Sequence, residues 1–326
     1  MKLFPLCNAS SSRPRPLPMS LNAPIAPLSE RLWKKFQSEG TDAHRIWTAG
    51  GAWIERLGAD LLLSYQDESM LPLLLEWCGA LPRLAAFSPQ RIFGRHLPVR
   101  NQERLAPVLL TGDPSLPLQT TVSEAGVRYG LDFSAGYSTG LFLDQRQNRA
   151  WVRRHAGGRF LNTFSYTCSF SVCAALAGAE TLSVDLSRKS LSRGQLNFEL
   201  NGLDPKKHRF FATDVRDSFP RLARKGERFD TIILDPPTFS TSHSKGRFRV
   251  EDDMGELVEA ALEVAAPRAR LLLSTNCTGL DVRALERIGR MALKSRRLAG
   301  AFSSCEAPED FPRGAGASCI WLQLAG

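Results

Sequence analysis

The sequence predicts an α/β fold: a mostly parallel sheet with helices on both faces, preceded by a small α+β domain. Three observations carry that expectation. From Gly136 onward, short apolar runs alternate strictly with stretches of helical periodicity, the order that βαβ units produce. Polar residues follow several of those runs directly, at the sheet edge where such folds bind ligands. The 326 residues, 43% hydrophobic and 23% charged, suffice for about two domains with substantial cores.

Residues 1–30 are expected to form a disordered tail. Lys2, Arg13 and Arg15 meet no acidic residue before Glu30, and the stretch is rich in Ser and Pro, a composition that cannot bury a core. Its five prolines, Pro5, Pro14, Pro16, Pro18 and Pro24, oppose the amphipathic helix of an organelle-targeting segment. Residues 31–135 are expected to form the small α+β domain. Ala52–Leu57, Asp60–Tyr65 and Val127–Phe133 read as strands between turn signals such as Gly50-Gly51, Gly58 and Gly112-Asp113-Pro114. Met70–Leu81 and Gln102–Leu105 lean helical. This domain holds no catalytic cluster, so its expected role is to cover or extend the next domain's active site.

Residues 136–326 form the predicted α/β domain. Its expected strands are Phe160–Phe164, Thr181–Val184, Arg209–Ala212, Thr231–Leu234, Arg270–Ser274 and Cys319–Leu324. The expected helices are Ser171–Ala177, Ser190–Asn201, Asp217–Lys225, Gly255–Ala265 and Val282–Ser295. Ser240–Arg249, rich in Ser, Gly and basic residues, reads as a mobile loop.

No apolar run approaches the ~18 residues a membrane-spanning helix needs, so no membrane partner is expected. Seven scattered cysteines without a Cys-x-x-Cys pair argue against a disulfide framework or a zinc site. They suit a reducing cytoplasm. Lys and Arg total 42 against 33 Asp and Glu, a net charge of +9, which favours a polyanionic partner such as RNA.

Four strand ends deliver chemistry: Asn162–Ser169, Asp185, Asp214 and Asp235-Pro236-Pro237. An acidic residue ending the second strand is placed to accept hydrogen bonds from a ribose diol, which suits Asp185. Its competing reading is a helix cap ahead of Ser187.

These residues belong to a longer ordered set. Thr139 to Arg146, Leu161 to Thr167, Val184 to Ser187, Asn201-Gly202-Leu203, Asp214, Phe229-Asp230, Asp235 to Ser240 and Ser274 to Gly279 together resemble class I S-adenosylmethionine-dependent methyltransferases. The nearest resemblance is to the bacterial 23S ribosomal RNA cytosine-C5 methyltransferase group and its N7-guanine relatives. It is strong over about residues 130–280. It implies the Rossmann-like class I methyltransferase fold, S-adenosylmethionine as cofactor, large-subunit ribosomal RNA as partner, and a cytoplasmic location. It further implies that Phe164, Ser165, Tyr166 and Thr167 form the loop under the methionine part of the cofactor. Asp185 would be the ribose ligand, Asp214 the partner of the adenine amine, and Arg146 part of the segment entering the cofactor pocket. Asp235 would line both cofactor and target base. Pro236, Pro237, Thr238 and Phe239 would meet the substrate, with Lys245 and Arg247 close behind. Family members carry glycine where this chain has Cys168, a position of close backbone approach and positive φ; Cys168 reads as a spacer.

Cys277 decides the expected reaction. Carbon 5 of cytosine is a poor nucleophile until a thiolate adds to carbon 6, and Cys277 stands where the cytosine-C5 members carry their cysteine. Cytosine-C5 methylation through Cys277 and Asp235 is therefore expected. Two alternatives stay open: methylation of guanine N7 or of another base with Cys277 structural, Asp235 to Ser240 resembling the N7-guanine relatives more closely, and an inactive RNA-binding homologue.

Overall fold

The computed structural model describes residues 28–49, 51–85, 87–97, 103–242, 244 and 246–326. Most of the expected tail, and the expected substrate residue Lys245, lie outside them. The end of that tail is built into the fold. Leu28 donates its N–H to Ile46 O at 2.9 Å, and Ser29 caps helix α1 (Glu30–Ser38) by accepting from Leu32 N.

The first sheet comprises β1 (Ala43–Ala49), β2 (Ala52–Leu57), β3 (Asp60–Tyr65), then helix α2 (Leu71–Ala85), β4 (Arg91–His96) and β5 (Val108–Thr111). The strands lie in chain order and pair antiparallel, except β3 with β4, which α2 links as a parallel pair. Alternation explains why Leu61-Leu62-Leu63 is buried throughout. Leu61 and Leu63 join the cluster with Leu74 and Cys78 of α2, while Leu62 points the other way, into the core shared with Phe160. Residues 103–107 are not helical, against the expectation for Gln102–Leu105: Pro107 disfavours the α conformation just before it, and Gln102 is not among the described residues. A hairpin, β6 (Gln119–Glu124) and β7 (Val127–Asp132), leads into α3 (Arg146–His155), a helix that the hydrophobic pattern does not reveal.

The large sheet follows: β8 (Arg159–Thr163), α4 (Ser169–Leu176), β9 (Glu180–Asp185), α5 (Arg188–Leu200), β10 (Arg209–Ala212), α6 (Val215–Arg224) and β11 (Phe229–Leu234). After these come β12 (Phe239–Ser242), β13 (Gly246–Arg249), α7 (Val250–Glu263), β14 (Ala265–Thr275), α8 (Val282–Ser295), β15 (Gly300–Ser304) and β16 (Ser318–Leu324). Seven strands pair in the order β10-β9-β8-β11-β14-β16-β15, and β16 alone runs antiparallel to its neighbours. Both faces are covered: Leu161, Ile232 and Leu271 face one core, Phe160, Ile233 and Leu272 the other. The expected loop Ser240–Arg249 departs from its prediction. Its described residues pair as the β12–β13 hairpin, with Ser240 opposite Phe248.

Candidate active site

A cavity of about 830 Å³ opens where β8, β9, β10, β11 and β14 end. Its sheet-side lining includes Phe164, Tyr166, Asp185, Asp214, Asp235 and Asn276. Pro236, Pro237, Thr238, Ser240 and Phe248 form one flank; Arg45, Trp53, Glu55, Arg95 and Tyr137 form the other.

The loop after β8 owes its shape to three left-handed residues: Phe164 (φ 51°), Tyr166 (φ 47°) and Cys168 (φ 60°). Such backbone is costly for non-glycine residues and persists because the surroundings hold it. Ser165 N donates to Val184 O at 3.0 Å and Cys168 N to Ser165 O at 2.7 Å. Tyr166 N donates to Asp185 Oδ2 at 2.8 Å and its hydroxyl to Ser138 O at 2.7 Å. The alternation turns Phe164 and Tyr166 to the cavity and buries Ser165 and Thr167; the Thr167 hydroxyl donates to Gly140 O. The positive φ expected at Cys168 is present. Space for its thiol comes from Gly194 of α5, where a Cβ would lie 2.4 Å from Cys168 Sγ.

Asp185 also accepts from Ser187 N at 2.8 Å, while Ser187 itself caps α5. Burial raises the Asp185 pKa, and the two backbone donors only partly offset it. A half-buried carboxylate facing a cavity, with lone pairs left over, fits a diol. Asp214 is more fully engaged. It caps α6, accepts from Arg216 Nη2 at 2.9 Å and from the Ser242 hydroxyl. Burial alone would raise its pKa, but Arg216 and Ser242 outweigh that and hold it below the usual value. Arg216 also donates to Arg247 O at 3.1 Å, so the β12–β13 hairpin is pinned to the end of β10.

Asp235 ends a directional chain that sequence reasoning missed. Trp321 Nε1 donates to Asn148 Oδ1 (3.2 Å), Asn148 Nδ2 to Gln145 Oε1 (2.8 Å), Gln145 Nε2 to Ser274 Oγ (2.8 Å), and Ser274 Oγ to Asp235 Oδ1 (2.7 Å). Indole N–H is only a donor, so each link is fixed in direction and the last one requires an acceptor. Burial lifts the Asp235 pKa to about 6, with nearby Asp144 adding to it and Ser274 opposing. Gln145 and Asn148 are polar residues buried on α3 and its approach; Gln145 lies within the motif Thr139 to Arg146, and the spacing of two amides three residues apart was the signal that could have marked Asn148.

Arg146 does not line the cavity. Its guanidinium bonds Asp310 Oδ1 (2.6 Å) and Ala43 O (2.7 Å) and lies over Phe36, bracing α3 against the first sheet. Phe239 is 55% exposed, paired with the Arg247 guanidinium at 5.9 Å, and neither lines the cavity. Cys277 is outside the lining too. It is 7% exposed in the loop after β14, joins the core cluster, and its thiol donates to Glu251 Oε1 at 3.2 Å. Burial first, then that carboxylate, pushes its pKa up. Sequence reasoning expected the first domain to cover or extend the site but named none of the residues that its sheet brings to the cavity. Arg45 bonds Glu55 at 3.1 Å, with its guanidinium over Trp53 and Phe311, and Arg95 reaches Glu55 at 3.3 Å. The spacing of Trp53 and Glu55, two apart on one strand, was the available signal.

The mostly parallel sheet, with helices on both faces and acidic residues at successive strand ends, has the class I methyltransferase fold. The chain belongs to the S-adenosylmethionine-dependent methyltransferase family, whose sequence model matches residues 66–320. A putative ribosomal RNA large subunit methyltransferase of Bacillus subtilis is 41% identical over 165 residues, 50% of this chain and 41% of that protein. Ribosomal RNA large subunit methyltransferase I of Klebsiella pneumoniae is 38% identical over 265 residues, 76% of this chain and 64% of that one. A putative methyltransferase solved in complex with SAH superposes with a TM-score of 0.77 at 27% identity, covering 89% of this chain and 77% of that chain. The chain spans under half the length of the first curated relatives it matches. Among the described residues no helix is long and apolar enough to cross a membrane.

Proposed function

We propose that the protein methylates a base of large-subunit ribosomal RNA in the cytoplasm. The observation that carries this reading is Asp235, an acceptor fixed by the donor chain from Trp321 at the wall of the cavity. When bound, S-adenosylmethionine supplies an electrophilic methyl group. In this reading Asp185 accepts from its ribose hydroxyls, Phe164 and Tyr166 contact its methionine end, and Asp214 with Arg216 closes the adenine side. Ser165 and Thr167 act by shaping the loop. Asp235 accepts an amino or ring N–H of an extruded base, Pro236, Pro237 and Thr238 form the turn beneath it, and Phe239 and Arg247 meet RNA outside the pocket.

The geometry favours direct transfer to a ring nitrogen such as guanine N7, whose lone pair needs alignment and no covalent activation. Cys277 is committed to Glu251 and sits outside the lining, with its thiolate disfavoured. A second reading, cytosine-C5 methylation, draws on one observation: Asn276, the residue before Cys277, does line the cavity. A rotation of Glu251 would then free the thiol.

Incubation of the protein with isotope-labelled S-adenosylmethionine and unmodified large-subunit RNA, followed by nucleoside mass spectrometry, tests both. Labelled 7-methylguanosine, retained in Cys277→Ala, is expected. Labelled 5-methylcytidine, with a denaturant-resistant complex on 5-fluorocytidine RNA that Cys277→Ser abolishes, would establish the second reading. No label in RNA while the cofactor binds would overturn both.

A further inference from the structure

A second cavity lies along β10, the edge strand of the large sheet, and nothing in the reaction above uses it. It measures about 790 Å³ and is bounded by α5 on one side and α6 on the other, within the size range of nucleotide-binding clefts. Four cations line it: Arg188, Arg221, Arg224 and Lys225. Among the described residues no acidic side chain lines it, and none of the four cations forms an ion pair. The other arginines near this edge are neutralised: Arg209 pairs with Glu227, and Arg216 with Asp214. Between the cations, Phe210, Ala212 and Leu222 give an apolar floor, and Phe211 stands 37% exposed on the strand.

We infer that this edge groove is a binding site for single-stranded RNA, the four cations holding successive phosphates and Phe211 stacking an unpaired base. The inference rests on the reading of RNA as substrate and adds where a flanking strand lies. Unpaired cations around an aromatic platform are the arrangement that binds single strands without reading sequence. A second copy of this chain is the less suitable occupant. Edge-to-edge pairing about a two-fold axis would set each cluster of cations against its own copy. The groove also adjoins the active site in sequence, since Arg188 closely follows Asp185 and Thr213 precedes Asp214. The groove therefore opens beside the side of the cavity that carries Asp185 and Asp214.

Fluorescence anisotropy with a labelled single-stranded oligoribonucleotide of large-subunit sequence tests this, with S-adenosylmethionine titration as the check on folding. Arg188→Ala/Arg221→Ala/Lys225→Ala should bind RNA at least tenfold more weakly. It should also lower the slope of log affinity against log salt by about two, at ~0.7 for each phosphate no longer neutralised. Phe211→Ala should weaken binding about fivefold or more with the salt slope unchanged. Cofactor affinity should stay as in the wild type for both. Wild-type affinity and slope in the triple variant would overturn the groove while leaving the methyltransferase reading intact. Wild-type protein that binds no RNA would overturn both. A triple variant that oligomerises but still binds RNA would make the cations a guard for the strand edge and overturn the inference.

Discussion

The loops after β8 and β14 leave the same sheet edge, and each buries a cysteine beside a glycine, yet they solve opposite problems. After β8 the loop carries the side chain and the facing helix makes room: Cys168 sits in left-handed backbone against Gly194 of α5. After β14 the loop makes room and the helix carries the side chain. A Cβ at Gly279 would lie 2.3 Å from Glu251 Oε1 of α7, the carboxylate that takes the Cys277 thiol. The first arrangement turns two aromatic rings to the cavity; the second occupies the thiol. A cysteine in a motif is thus given its role by the element packed on it, which a linear motif does not display.

Asp235 directly follows β11, the strand between β8 and β14, and should show the largest effect on breaking the site. Asp235→Asn is expected to cut methyl transfer by about 10²- to 10³-fold, the loss typical of one preorganised polar group, with cofactor affinity preserved. Its pKa of about 6 also fixes a pH signature. Activity that needs the carboxylate should rise through about pH 6 in the wild type. Because the folded pKa is raised, this group's favourable contribution to stability is complete below the unfolded carboxylate range and is lost as pH rises through about 6. Asp235→Asn should therefore be more stable than the wild type at pH 8, by on the order of 1 to 3 kcal/mol, and gain little at about pH 4. Thermal denaturation at the two pH values checks it; equal gains at both would mean that the carboxyl is not shifted.

On the β8 side, Asp185→Ala should lose at least about tenfold in S-adenosylmethionine affinity, each charge-assisted bond being worth roughly 1.5 to 3 kcal/mol. An unchanged dissociation constant in calorimetry would remove Asp185 from the cofactor site. Gly194→Ala sharpens the comparison itself. Its new methyl would overlap Cys168 Sγ, costing about 1 to 3 kcal/mol. Cys168→Gly should rescue it, since a glycine tolerates φ 60° and removes the clash. A double-mutant cycle with no coupling would mean that the two positions do not share the space.

How much was legible follows the same division. The fully buried strand Asp60–Tyr65 and the amphipathic helix Val282–Ser295 match their expected bounds, because period and breakers act locally. The motif carboxylates reached the cavity because a strand end fixes where a residue emerges. What stayed hidden depends on distant partners. Helix α3 has an apolar content too low to register as amphipathic, since it buries Arg146, Asn148 and Arg149. Arg149 is satisfied by Glu124, 25 residues earlier, and by Phe142 O. Arg146 follows motif residues that line the cavity, Leu141 to Gln145; Asp310, 164 residues away, holds it instead. The pairing of β12 with β13 was obscured by polar composition, and its pinning by Arg216 is a tertiary bond.

The smallest expected effect is at the β14 loop. If Glu251 holds Cys277 out of the reaction, Cys277→Ala removes one buried thiol and its hydrogen bond, and methyl transfer should stay within about twofold of the wild type. Stability should fall by about 1 kcal/mol, the net value of one such bond. Glu251→Gln is the sharper variant, because it removes the carboxylate that, after burial, keeps the thiol protonated. Thiol alkylation by iodoacetamide, followed at Cys277 by peptide mass spectrometry across pH, should then begin at lower pH than in the wild type, with transfer unaffected. A large loss of transfer in Cys277→Ala, together with a gain or shift in its pH profile in Glu251→Gln, would reverse the assignment. The loop after β14 would then hold a nucleophile restrained by its neighbour, and the contrast with the β8 loop would be between two working parts of one site.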